Sequence, residues 1–177
     1  MKKSIIPETV KIIKTRKSVR NFNDKPVGKE ELVELVKAGM AAPTAVNCQP
    51  WEFIIITDRS LLDKLGDVLP HTKMIYKAGA AIVVCSIPAK AHRQFVEYAI
   101  LDSALASENI LLAAEALKLG AVWTAAYPYS NRMESVRTIL NIPKEIIPLN
   151  VIPIGHPTGE DTPKEKYRPE KIHWEKW

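Results

Sequence analysis

The 177 residues predict a three-layer sandwich of the α/β or α+β kind. Two observations carry that reading: segments with helical periodicity alternate with short β-branched apolar runs, and no internal repeat, low-complexity tract or Gly/Ser linker divides them. A third is bulk. At 19.8 kDa, with 46% hydrophobic and 25% charged residues, a single domain over residues 1–177 buries a sizeable core without disulfide or metal staples.

The elements follow in order. Residues 4–16 have Ile6, Val10 and Ile13 at helical spacing, with Pro7 tolerated in the first turn. Residues 29–41 form a second amphipathic helix with Leu32, Leu35, Val36 and Met40 on one side, stopped by Pro43. Residues 51–57 (WEFIIIT) and 80–87 (AAIVVCSI) are too short for buried helices and read as strands covered on both faces. Between them residues 61–69 form a short helix capped by Asp58 or Ser60. Residues 95–119 are the longest periodic segment, with Gly120 as the C-cap. Small and apolar residues surround most of its circumference, so it is buried in a core or against a partner subunit. Residues 121–126 read as a strand, 132–140 as a helix and 148–155 as a last strand, in which Pro153 predicts an edge position or an irregularity. The tail, 157–177, is polar and proline-rich and ends in Trp174 and Trp177. Tryptophan rings left in water forfeit a large apolar area, so the tail is expected to wrap a partner subunit.

Composition narrows the function classes. Cys48 and Cys85 are the only cysteines, which excludes a disulfide scaffold, and no apolar run reaches the roughly 18 residues of a membrane span. The N-terminal MKKSIIPETV has its apolar stretch broken by Pro7 and Glu8, unlike a signal peptide, so a reducing cytoplasmic setting is expected. The net charge of +5 and pI near 9.1 raise nucleic acid as a partner. The cations, however, are interspersed with 20 acids and follow no reader motif, so a small anion such as a phosphate ester fits better.

Two segments carry candidate chemistry. KTRKSVRNF places Lys14, Arg16, Lys17, Ser18 and Arg20 within seven residues. Arginine is a planar bidentate donor suited to phosphate, although the same cations at a helix C-terminus also complement its dipole. AAPTAVNCQPWEF brackets Thr44, Asn47 and Gln49 between Pro43 and Pro50, immediately before a strand. Such short polar groups either organise a turn or bond the amide-like edge of a planar heterocycle.

Arg16-x-Ser18-x-Arg20, then A-P-T-x-x-N-x-Q-P-W, the helix DSALASENILLAAEALKLGAVW, the late strand IPLNVIPIGHP and the tail's Lys166-Tyr167-Arg168 together resemble the nitroreductase family of FMN-dependent oxidoreductases over nearly the whole chain. The resemblance implies an α+β fold with a central mixed sheet flanked by helices, and a homodimer with FMN at the subunit interface. It implies that Arg16, Lys17, Ser18 and Arg20 hold the FMN phosphate, helped by Lys166 and Arg168. Pro43, Thr44, Ala45 and Asn47 of the other subunit would line the isoalloxazine, Gln49 of the same turn would also bind the cofactor, and Ala125 and Ala126 would offer backbone N–H groups to the ring's N5/O4 edge. Lys73 and His71 fall near the pyrimidine edge without a firm match.

On this reading NADH or NADPH is the reductant and a nitroaromatic, quinone or similar acceptor takes the hydride in a second half-step. No dinucleotide fingerprint marks a separate site for the nicotinamide. The chemistry belongs to flavin N5, so no side chain is assigned as catalytic. Alternatives are a specialised flavoenzyme of the same fold (dehalogenating or flavin-fragmenting) or a non-catalytic flavin-binding protein. Cys48 is read as an ordinary small residue and not a redox thiol. His71, His92, His156 and His173 lack the spacing of a metal site, so no metal is expected.

Overall fold

The computed structural model describes residues 7–177. Helices α1 (Glu8–Thr15) and α2 (Lys29–Met40) lead into strand β1 (Trp51–Ile56), helix α3 (Arg59–Val68) and strand β2 (Ala80–Ser86). The long helix α4 (Val96–Ala116) follows, then short strands β3 (Gly120–Ala121) and β4 (Thr124–Ala125), helix α5 (Ser130–Leu140) and strand β5 (Ile147–Gly155). The expected start of the first helix at Ser4, and its Ile6, lie outside the described residues. Pro7 stands at the N-cap of α1, where its missing N–H costs no helical bond.

The sheet runs β1–β2–β5, with β3 and β4 both pairing to the far side of β5. Every pairing is antiparallel, so the expected α+β class stands while the mixed sheet is corrected. Period-two alternation sends the side chains of each strand to two cores. Ile82, Val84, Ile152 and Ile154 meet Leu32, Leu35, Ile110 and Ala114 of α2 and α4. Ala81, Val83, Cys85 and Val151 meet Leu62, Leu65 and Val136 of α3 and α5. This gives three layers. Gly39 lets α2 approach α4 closely, because a Cβ there would stand 3.0 Å from the Ile110 side chain.

Two expectations on single elements need correction, β1 and the cap of α4, and one on Pro153 is resolved. β2 is covered on both faces, but β1 is an edge strand with Glu52 and Ile55 exposed. Pro153 lies in β5, which is paired on both sides, so of the edge or irregularity expected there the structure shows the irregularity. Its carbonyl accepts from Val122 N at 3.4 Å. The proline nitrogen therefore faces the same side, and the ladder is interrupted there between β3 and β4, because Pro153 has no N–H to return to Val122 O. Gly120 is not the cap of α4. The helix ends at Leu117 with Lys118 left-handed (φ 60°), Lys118 N–H bonding Glu115 O and Leu119 N–H bonding Ala114 O. That is the double bond pattern of a Schellman end, built without glycine. Gly120 is needed for another reason: a Cβ there would collide with Val19. The cap of α3 is as read, with Asp58 accepting from Leu61 N at 3.2 Å.

Candidate functional site

Once α1 ends at Thr15, the extended segment 16–20 runs beside the C-terminal half of α4. Val19 is buried and its N–H bonds Ala121 O, so the alternate residues on either side face outward. A cavity of about 330 Å³ opens there, lined by Arg16, Lys17, Ser18 and Arg20 on one side and by Glu160, Asp161, Thr162, Lys164 and Lys166 of the tail on the other. The tail reaches this place because Phe22 bridges to Pro157 and Thr158 N–H bonds Asn21 O.

The cations divide into two groups. Arg16 pairs with Glu108 at 3.2 Å, and Lys17 pairs with both carboxylate oxygens of Glu115 at 3.1 and 3.2 Å. Glu108 and Glu115 are seven apart on α4, hence on one face, and they stitch the segment to the helix. Arg20, Lys164 and Lys166 have no carboxylate partner among the described residues. Glu160 and Asp161 line the same cavity, but neither pairs with these cations, and the excess of positive charge is relieved when an anion joins them. The lining therefore suits a phosphate dianion. Arg168 does not line the cavity; its guanidinium donates to the neighbouring Tyr167 O at 2.8 Å.

A second cavity, about 410 Å³, shares Arg20 and Glu160 with the first and includes Lys73, Met74, Tyr76 and Thr158. Lys73 Nζ donates to Tyr76 OH at 3.3 Å, and that hydroxyl donates to Asp67 at 2.6 Å. Lys73 thus lies beside the cationic cluster, whereas His71 lines neither cavity.

The turn 44–49 is built differently. Val46, Asn47 and Gln49 all have positive φ (46°, 59° and 51°), which is costly for non-glycine residues and most so for β-branched valine. Thr44 Oγ1 accepts from Gln49 N–H, and Gln49 Nε2 donates to Asn47 Oδ1. Asp102, buried on α4, accepts from Ala45 N–H at 3.2 Å. Pro43, Asn47 and Gln49 are exposed, Thr44 and Ala45 half-buried, and none of them lines the cationic cavity.

At β4 the ladder decides which amides are free. Ala126 N–H is bonded to Leu149 O at 3.1 Å, so it is not available to a ligand, which corrects the expectation for that residue. Antiparallel alternation turns the N–H of Ala125 away from β5 towards the open edge of the sheet. Cys85 is buried in the α3–α5 core, and its thiol is pushed up to about 12 by that burial and by Glu52.

Sequence reasoning missed Lys164, Asp161, Glu108, Glu115 and Asp102. Lys164 had a signal, since extended chain puts it on the same side as Lys166. Glu108 and Glu115 had one too, as acids spaced by seven on a largely apolar helix.

An α+β sandwich with a cavity so lined offers the donors that a phosphorylated ligand needs. A model of the nitroreductase family matches residues 13–72 and 69–156, and the chain belongs to that family. It is 38% identical over 170 residues to "Putative NADH dehydrogenase/NAD(P)H nitroreductase" of Methanothermobacter thermautotrophicus, covering 96% of this chain and 88% of the relative. A crystal structure of the same description from Parabacteroides distasonis is 48% identical, with a TM-score of 0.92 over 97% of this chain and 100% of that one. An FMN-dependent nitroreductase from Clostridium difficile R20291 is 25% identical, with a TM-score of 0.87 over 95% of this chain and 99% of that one.

Proposed function

We propose that the chain is an FMN-dependent oxidoreductase that draws on NADH or NADPH and reduces a small acceptor such as a nitroaromatic or a quinone. The observation that carries this reading is the cluster of Arg20, Lys164 and Lys166, unpaired and facing one cavity with Arg16 and Ser18. Family membership and the similar FMN-dependent nitroreductase support it.

The donor chemistry fits the cofactor. A phosphate monoester carries about −1.5 to −2 charge near neutrality and three acceptor oxygens. Arg16, Ser18, Arg20 and Lys166 would hold it, with Lys164 added and Lys17 acting mainly through its pair with Glu115. FMN, when bound, supplies the N5 position that accepts and releases hydride. The chain's own residues bind and orient. Arg20 sets a fixed positive charge where the two cavities meet, and Ala125 holds an amide N–H at an open edge. The turn 44–49, prearranged by Asp102, presents Thr44, Asn47 and Gln49 as hydrogen-bonding groups. No proton transfer by a side chain is required.

The functional unit is a homodimer, in which the turn of one subunit completes the site of the other. Tyr98, Leu101 and Leu105 of α4 are exposed, Leu101 by 60%, and Trp174 and Trp177 of the tail are almost fully exposed. Apolar area of that kind is what a second copy covers. The tail, 157–177, extends onto the partner. NAD(P)H and the acceptor take turns in one pocket.

The test is direct. Purified protein is yellow, its visible flavin band bleaches with NADH or NADPH under anaerobic conditions, and the band returns on adding an acceptor. Protein that cannot be reconstituted with FMN overturns the reading. Intersecting double-reciprocal plots, in place of parallel ones, overturn the alternating use of one pocket.

A further inference from the structure

We infer that Asp161 is a positioning residue for the cofactor's phosphate. It acts as a latch that holds the tail's cations over the anion cavity, although its own charge opposes an anion there. The inference rests on the FMN reading above.

A carboxylate on the wall of an anion site is unfavourable by Coulomb's law alone. The geometry supplies the compensating reason. One oxygen, Asp161 Oδ2, accepts from Arg20 N–H at 3.0 Å, from Asn21 N–H at 3.1 Å and from Asn21 Nδ2 at 3.3 Å. The two backbone donors belong to the segment that carries Ser18 and Arg20. Preceding residues run alongside the same segment, with Asn23 N–H bonded to His156 O and Thr158 N–H to Asn21 O. Beyond Asp161, every hydrogen bond among the described residues joins the tail only to itself, as in Tyr167 N–H to Glu165 and Lys171 N–H to Arg168 O. Asp161 is therefore the last hydrogen-bonded tie between the tail and the body of the protein. Lys164 and Lys166, which form the opposite wall of the cavity, follow within five residues and have no ion pair of their own.

The two effects of Asp161 have opposite signs, which makes the latch testable. Asp161→Ala removes both charge and acceptor; Asp161→Asn removes the charge and keeps an acceptor oxygen. Each variant is stripped of flavin and titrated with FMN and with riboflavin, which lacks the phosphate. The latch predicts that Asp161→Ala binds FMN roughly tenfold more weakly, the scale of a lost hydrogen-bonded tie, with riboflavin affinity little changed. Asp161→Asn keeps wild-type affinity or exceeds it. In the ligand-free protein the amides of Arg20 and Asn21 exchange with solvent faster in Asp161→Ala than in wild type.

FMN affinity in Asp161→Ala equal to or above wild type overturns the latch and leaves only the charge. Equal weakening of FMN and riboflavin also overturns it, because that is a general structural loss. A wild-type protein that binds no FMN removes the reading itself, and the latch with it.

Discussion

The segment 16–20 and the turn 44–49 are both polar and both near α4, yet they are held by opposite means. The first is fixed by ties to other elements: Glu108 and Glu115 take the side chains of Arg16 and Lys17, Ala121 O takes Val19 N–H, and Asp161 takes Arg20 N–H. The second is fixed by its backbone, with three left-handed residues and one anchor, Asp102. The segment therefore has a cavity with two walls within one chain, while the turn faces outward with its polar groups bonded to one another. A half-site complete in itself and a half-site that faces outward fit a ligand shared between two copies.

The largest effect that sharpens this contrast is loss of the unpaired arginine. Arg20→Ala is expected to weaken FMN binding on the order of 100-fold, the scale of losing charge-assisted bonds to phosphate, as read by flavin fluorescence. A change below threefold breaks the assignment. Next is the apolar face of α4. Leu101→Glu places a charge where a partner is to be buried and is expected to weaken the dimer at least tenfold in analytical ultracentrifugation, with FMN affinity falling alongside.

Smaller effects follow from the cores and the turn. Burial lifts the Cys85 thiol from 9.0 to about 12 in the folded protein. The unfolded chain loses its thiol proton first, so this site's contribution to stability is whole below pH 9 and falls as pH rises from about 9 to 12. The slope is at most about 1.4 kcal/mol per pH unit. Cys85→Ala should flatten the alkaline limb of a stability–pH curve, and in the wild type iodoacetamide at pH 8 should label Cys48 and spare Cys85. An identical alkaline limb in the variant contradicts the assignment. Smallest is the turn's strain. Val46→Gly relieves a valine at φ 46° and is expected to stabilise the apoprotein by about 0.5–1 kcal/mol in denaturant unfolding while loosening the ring contact. Destabilisation by a similar amount would mean that the turn is not strained.

Much of this molecule is legible in its residues, and the illegible parts share a cause. Helices α2 to α5 and strands β2 and β5 follow from periodicity and from apolar runs, and Asp58 caps α3 as its side chain and position dictate. Whether a strand is central or at an edge depends on which strands pair, and local sequence does not encode that. For this reason the apolar run of β1 reads as covered on both faces, and Pro153 signals an edge or an irregularity without telling which. Lys118 shows that a left-handed cap need not be glycine when two carbonyls are waiting for donors. At the site, the cationic cluster is legible because Arg16, Ser18 and Arg20 lie together in the chain. Asp161 is not, because its partners are about 140 residues away and its charge has the wrong sign for the ligand.

The measurement that tests the shared site most directly is subunit complementation. One chain carries Arg20→Ala, and another carries Ala45→Trp, which fills the space beside the turn. The two are unfolded together, refolded as a mixture and titrated with FMN. If each site takes its cations from one copy and its turn from the other, every mixed dimer regains one wild-type site, and tight binding reappears that neither parent possesses. If both parts of a site come from the same chain, each site in the mixed dimer keeps one defect, and no tight binding returns.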